Sequence, residues 1–146
     1  RINLVTGDIC ERNLSKTPCD FTRVNDDYAC YKTRYDYAGI FNTERAFTFD
    51  GIMKYDNESG ITSEYVYGPN RHGGEAVFSP KVGSVSEDDG YLVCFVHDEA
   101  ENQSECQIID AQDMTAGPIA TIIMPFRVPY GFHAGWVGDS VSAFTL

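Results

Sequence analysis

Three polar residues, Asp20, Glu75 and His133, recur at one phase of the sequence and carry the chemistry of a metal or acid–base site. An imidazole serves as a metal ligand or a base, and a carboxylate behind it fixes its tautomer and orientation through the second ring N–H. Each of the three follows a turn glycine, Gly7, Gly60 or Gly117, by 13, 15 or 16 residues. Each glycine in turn closes a β-rich run: Ile2 to Thr6, Met53 to Asp56, and Ile108 to Asp110. His133 is approached through Arg127-Val128-Pro129-Tyr130-Gly131-Phe132, an aromatic, turn-forming stretch suited to bringing an imidazole into a partly apolar cavity. Glu75 has two glycines before it and an apolar run after it, so its burial would be costly without a partner. Asp20 either supports a ligand in the same way or caps a strand end.

Other polar clusters read more simply. His97 ends a strand beside Asp98-Glu99 and reads as part of a solvated turn, and His72 carries little signal. Asp56-Asn57-Glu58-Ser59-Gly60 lacks the alternating ligands and distal glutamate of a calcium loop and reads as a turn, while Glu87-Asp88-Asp89-Gly90 reads as a charged hairpin tip. There is no G-x-S-x-G, P-loop, H-E-x-x-H or dinucleotide fingerprint, so the motifs for nucleophile, phosphate and nicotinamide chemistry are absent.

The elements that must position these residues are strands. Alternating, β-branched and aromatic runs bounded by turn residues predict strands over 21–24, 34–41, 47–55, 61–67, 75–79, 91–97, 106–110 and 119–124. One helical turn is expected within 110–116, stopped by Gly117-Pro118. The turn glycines are 53 and 57 residues apart and the polar positions 55 and 58 apart, so the two periods agree. Four strands per period of about 50 residues is the signature of a β-propeller, in which the innermost strand of each blade lines a central channel. On that reading Asp20, Glu75 and His133 each open an inner strand. Blades then span about 20–67 and 75–124, and 133–146 starts or closes a further blade. A propeller needs at least four blades to close, so the chain is expected to be the C-terminal portion of a single, larger domain. The alternative architecture is a β-sandwich, which needs no phase relation among the three polar positions.

The composition narrows the partners. With 146 residues, 42% of them apolar, the chain can bury about two-thirds of its unfolded surface in one modest domain. A net charge of −11, with 11 Lys and Arg spread along the chain, argues against nucleic acid. The apolar runs Tyr91–Val96 and Ile119–Met124 are far short of the roughly 20 residues that span a bilayer. Five cysteines, odd in number and without a C-x-x-C pair, point to reduced thiols in a cytosol-like compartment rather than to a disulfide framework or a zinc site. The start at Arg1-Ile2-Asn3, without methionine or a signal peptide, suggests a truncated or processed chain.

Several stretches together resemble the C-terminal part of the carotenoid cleavage oxygenases. They are Asp20-Phe21-Thr22-Arg23-Val24-Asn25, Gly73-Gly74-Glu75-Ala76-Val77-Phe78, Glu87-Asp88-Asp89-Gly90-Tyr91-Leu92 continuing through Phe95-Val96-His97-Asp98-Glu99, and Arg127 to His133. The resemblance implies an all-β fold, part of a seven-bladed propeller with Fe(II) on its axis. The iron is held by four histidines from different blades, with carboxylates hydrogen-bonded behind three of them. His133 then matches the last iron ligand, and Glu75 and Asp20 match two of the supporting carboxylates. Asp20 stands where the family usually has glutamate, one methylene longer, and Thr22 where proline is common. The reaction implied is oxidative scission of a conjugated C=C bond in a carotenoid, apocarotenoid or stilbenoid, with O2 as co-substrate and two carbonyl products. A same-family isomerase and a catalytically inactive interaction scaffold are the alternatives. Phe132 is the expected tunnel residue, with Phe126, Tyr130 and Trp136 as further aromatics near it. The resemblance further implies location in cytoplasm or plastid stroma rather than secretion, any peripheral membrane contact coming through upstream segments. With one ligand of four, the 146 residues alone are expected to be inactive.

Overall fold

The computed structural model describes residues 1–45 and 48–138. The predicted strand start at Phe47 and the stretch 139–146 of the expected further blade lie outside the described residues. Among the described residues nine strands are formed: β1 (Cys19–Arg23), β2 (Tyr35–Phe41), β3 (Phe49–Asp56), β4 (Thr62–Val66), β5 (Arg71–Gly73), β6 (Val77–Pro80), β7 (Gly90–Asp98), β8 (Gln103–Asp110) and β9 (Pro118–Ile123). The helical content of the described residues is two single 3-10 turns, Asp26–Tyr28 and Met114–Ala116, the second falling within the expected helical turn.

All pairings between these strands are antiparallel and fall into two four-stranded runs. The first is β1-β2-β3-β4, and the second is β6-β7-β8-β9. The short β5 links them, pairing with β3 through Phe49 and Gly73 and with β7 through Arg71 to Gly73. Period-2 patterning explains the second run. In β7, Leu92, Cys94 and Val96 point inward while Phe95 points out, and in β8 Gln107 and Ile109 alternate with partly exposed Cys106 and Ile108. Gly60, at φ +73, closes the β3–β4 hairpin in a conformation that a Cβ would strain. Gly90 is required for a different reason: a Cβ there would stand 2.6 Å from the Ser79 carbonyl oxygen.

The core lies between the two runs. Tyr37 and Ile52 from the first meet Phe78, Leu92, Val96 and Ile109 from the second, and the Tyr37 and Phe78 rings stack at 5.7 Å. Burial of each of these aliphatic side chains is worth roughly 1.5–3 kcal/mol. The outer edge is different, since all six residues of β9 are exposed, Ile119, Ile122 and Ile123 among them.

The segment Glu87-Asp88-Asp89 is no solvated hairpin tip; it ties the runs together. The Glu87 carboxylate accepts from the Arg34 and Tyr35 backbone N–H groups at 2.8–2.9 Å. Lys54 on β3 donates to Asp88 Oδ2 and to the Ala111 carbonyl, both at 2.8 Å, with its ammonium 4.1 Å over the Tyr35 ring. Burial pushes the Asp88 carboxyl up, but the Lys54 ammonium with Gln112 and Ser86 outweighs it and holds the group below its ordinary 3.8.

The β-rich run Ile2–Thr6 ends at Gly7 in a hairpin turn closed by the bridge Ile2–Ile9, but it forms no strand longer than that bridge. Nor do the three polar residues open inner strands: Asp20 is the second residue of β1, Glu75 lies between β5 and β6, and His133 lies in irregular chain after β9. The reasons are local: β1 begins one residue before Asp20, and a bulge between Gly73 and Val77 takes Glu75 out of the ladder.

Candidate metal-ligand site

Glu75 is placed by a bulge. β5 and β6 run along the same partner, Gly73 opposite Val96 and Val77 opposite Val93, so Gly74, Glu75 and Ala76 face only Phe95 and Cys94. The extra residue breaks the ladder and re-aims the side chain. Gly74 permits it, because a Cβ there would come within 3.3 Å of the Gly131 carbonyl oxygen. The Glu75 side chain is 3% exposed. Its Oε2 accepts from the Ala134 backbone N–H at 2.7 Å and from Arg23 Nη1 at 3.4 Å. Its Oε1 faces His133 Nδ1 at 3.5 Å, the outer limit of a hydrogen bond.

The His133 side chain is 73% exposed, and its Nε2 has no partner among the described residues. One ring nitrogen thus faces a buried carboxylate and the other is open, the arrangement of a metal-ligating imidazole with its supporting acid. The structure brings together His133 and Glu75. It does not bring Asp20 to them: Asp20 is exposed on edge strand β1, and its carboxylate accepts from the Phe21 backbone N–H at 2.8 Å. Among the described residues, no three His, Cys, Asp or Glu side chains converge to hold a metal ion. The His133 imidazole, open at Nε2, has the chemistry to fill one place in a coordination sphere.

The stretch leading to His133 makes no ladder and is held by side chains. The Val128 N–H donates to Ser104 Oγ at 2.9 Å, and the same hydroxyl lies 3.0 Å from His97 Nδ1. Arg127 Nε reaches His97 Nε2 at 3.4 Å, and its guanidinium stands 5.3 Å over the Tyr130 ring. The Tyr130 hydroxyl donates to Glu99 at 3.1 Å, and Glu99 also pairs with Arg45. The Arg45 guanidinium, with Tyr130 adding to it, holds the Glu99 carboxyl below its ordinary range, while burial and the bond to Glu99 push the Tyr130 phenol up. His97, expected in a solvated turn, is instead buried, because its cross-strand neighbours are Ser104 and the equally buried His72. His72 Nδ1 in turn lies 2.7 Å from Asp50 Oδ1.

A cavity of about 370 Å³ opens beside this anchor, lined by Glu75, Phe95, Val96, His97, Tyr130 and His133 among others. Phe132, the expected tunnel residue, lies outside that lining, with its ring 6.2 Å from Phe21. Two residues of β1 to which the sequence pattern assigns no role stand against the site. Phe21 places its ring 4.8 Å from the His133 imidazole, and Arg23 contacts both Glu75 and Ala134. Both lie inside the stretch that carries the family resemblance, and that was their only signal.

An all-β chain with a buried carboxylate behind an open imidazole at a cavity mouth defines a class, and comparison with known proteins defines the family. The family model described as retinal pigment epithelial membrane protein matches residues 1–138, and the chain belongs to that family, which includes the carotenoid cleavage dioxygenases. It is 40% identical to carotenoid 9,10(9',10')-cleavage dioxygenase of Crocus sativus over 95% of this chain and 28% of the relative. It is 35% identical to apocarotenoid-15,15'-oxygenase of Synechocystis over 81% of this chain and 24% of the relative. Among solved structures, cobalt-substituted Synechocystis apocarotenoid oxygenase superposes with a TM-score of 0.86 at 31% identity, covering 93% of this chain and 29% of that one. The chain therefore spans less than a third of the length of the relatives it matches.

Proposed function

We propose that the chain acts as the C-terminal portion of a non-haem Fe(II) dioxygenase that cleaves a conjugated C=C bond of a carotenoid or apocarotenoid. One O2 is consumed and each alkene carbon becomes a carbonyl. The observation that carries this reading is the His133–Glu75 pair at the cavity mouth, and the names of the relatives support the substrate class. In this reading the two four-stranded runs are successive blades of a seven-bladed propeller, and His133 is one of four imidazole ligands.

Bound iron supplies the redox chemistry with O2. The chain's residues do the positioning. Glu75, anchored on Oε2 by Ala134 N–H and Arg23, presents Oε1 to the His133 imidazole and orients it. Asp20 acts likewise for a ligand outside this chain, its exposed edge strand awaiting that neighbour. Tyr130 and Phe95 line the cavity, and Phe132 is assigned to the substrate tunnel beyond it. The protein is assigned to plastid stroma or cytoplasm; an Arabidopsis thaliana relative, probable carotenoid cleavage dioxygenase 4, is named chloroplastic.

The test is His133→Ala in the longer protein. Stoichiometric iron and cleavage are both expected to be lost, and unchanged activity overturns the assignment. Oxygen uptake with an apocarotenoid separates cleavage from isomerisation, which consumes none, and the 146 residues alone are expected to show no turnover.

A further inference from the structure

We propose that Phe21 and Arg23, on the bulged strand β1, are positioning residues for the His133 imidazole. The inference rests on the reading of His133 as a metal ligand. His133 lies ten residues beyond β9, with no backbone ladder to fix it among the described residues, and its side chain is mostly exposed. A ligand in that setting needs its direction imposed from outside.

The bulge in β1 supplies it. Asp20 lies opposite Gly39 and Arg23 opposite Tyr37, so Phe21 and Thr22 face the single residue Ala38. Phe21 takes up the extra length at φ +54, a left-handed conformation that a phenylalanine adopts only under constraint. Such strained residues concentrate where a side chain must be aimed. The turn carries the Phe21 ring to 4.8 Å from the His133 imidazole, tilted by 41°, with Phe49 at 5.2 Å on the other side. Thus the ring that limits rotation of the imidazole is itself backed by the sheet.

Arg23 controls the backbone. Its Nη1 donates to the Ala134 carbonyl at 3.1 Å and to Glu75 Oε2 at 3.4 Å, while that same oxygen accepts from the Ala134 N–H at 2.7 Å. Arg23, Glu75 and the Ala134 peptide units form a closed triangle around the residue next to His133. Asp26 holds the other arm of the guanidinium at 3.3 Å. The fork geometry of arginine is needed, since one nitrogen serves the triangle while another is anchored.

The experiment uses the longer protein, freed of iron and titrated with Co(II), whose visible bands report ligand geometry. Arg23→Gln is expected to weaken Co(II) about 10- to 100-fold, the usual cost of losing an orienting partner, and to shift the bands. Arg23→Lys should recover part of both, and Phe21→Leu should shift the bands with a smaller loss of affinity. Thermal unfolding of the metal-free proteins is followed in parallel, because a merely structural role would lower the melting temperature without altering the bands. If His133→Ala abolishes Co(II) binding but Arg23→Gln and Phe21→Leu keep wild-type affinity and bands, the positioning role is overturned and the metal reading stands. If His133→Ala itself binds with wild-type affinity and bands, the metal reading falls and this inference with it. Should Arg23→Gln fail to fold, Arg23→Lys and Phe21→Leu decide by the same two readouts.

Discussion

The bend between β5 and β6 and the start of β1 both combine an acidic residue with a one-residue bulge, placed differently relative to each other. At the bend the acid sits inside the bulge, so Glu75 turns inward and collects two donors besides its contact with His133. In β1 the acid precedes the bulge, so Asp20 stays on the exposed side and bonds its neighbour's amide, while Phe21 and Arg23 turn toward the site. One residue of offset decides which side chain is aimed, because the two faces of a strand alternate and a bulge resets that alternation.

That contrast can be broken by substitution. Glu75→Ala removes the acceptor at the centre of the triangle and leaves Arg23 and the Ala134 N–H without it, which should destabilise the chain by about 3 kcal/mol in urea unfolding. A loss below about 1 kcal/mol would mean that the carboxylate is not held as described. Asp88→Ala, which strands the mostly buried Lys54, should come next, at about 2 kcal/mol after allowance for its partial exposure. Its pH dependence has a definite direction. Because the folded state holds Asp88 below 3.8, the contribution is fully present above that value and disappears as pH falls through the lower, folded one. The stability difference between the wild-type chain and Asp88→Asn should therefore be flat near neutrality and shrink below pH 3.8. Asp20→Ala should be the smallest, within about 0.5 kcal/mol, as expected of an exposed side chain with one local bond. A loss matching that of Glu75→Ala would erase the distinction between the two bulges.

Much of this molecule could be read from its residues. Strand-rich runs gave the all-β class, and the Gly73 to Phe78 and Arg127 to His133 stretches led to Glu75 and His133, which meet in the structure. Three things were hidden for physical reasons. A one-residue bulge leaves period-2 patterning on either side intact, so the offset at Phe21 and at Glu75 cannot be seen by counting. His97 looked solvated because its polar neighbours in sequence are at a hairpin, whereas its burial comes from Ser104 across the ladder and from Arg127, thirty residues on. Glu87 and Asp88 looked like a charged tip because their partners, Arg34, Tyr35 and Lys54, lie in the other run.

The open strand β9 has a colloidal consequence. Among the described residues β9 pairs with β8 alone, and its other edge, flanked by Ile119, Ile122 and Ile123, is a template onto which another strand can add. What opposes such addition at a distance is the repulsion between copies that each carry a net charge of −11. That repulsion is screened by salt, its range falling from about 10 Å at 0.1 M to about 3 Å at 1 M, whereas attraction between apolar edges is not. Wherever such an edge is exposed, raising the ionic strength shifts the balance from dispersed molecules toward edge-to-edge association.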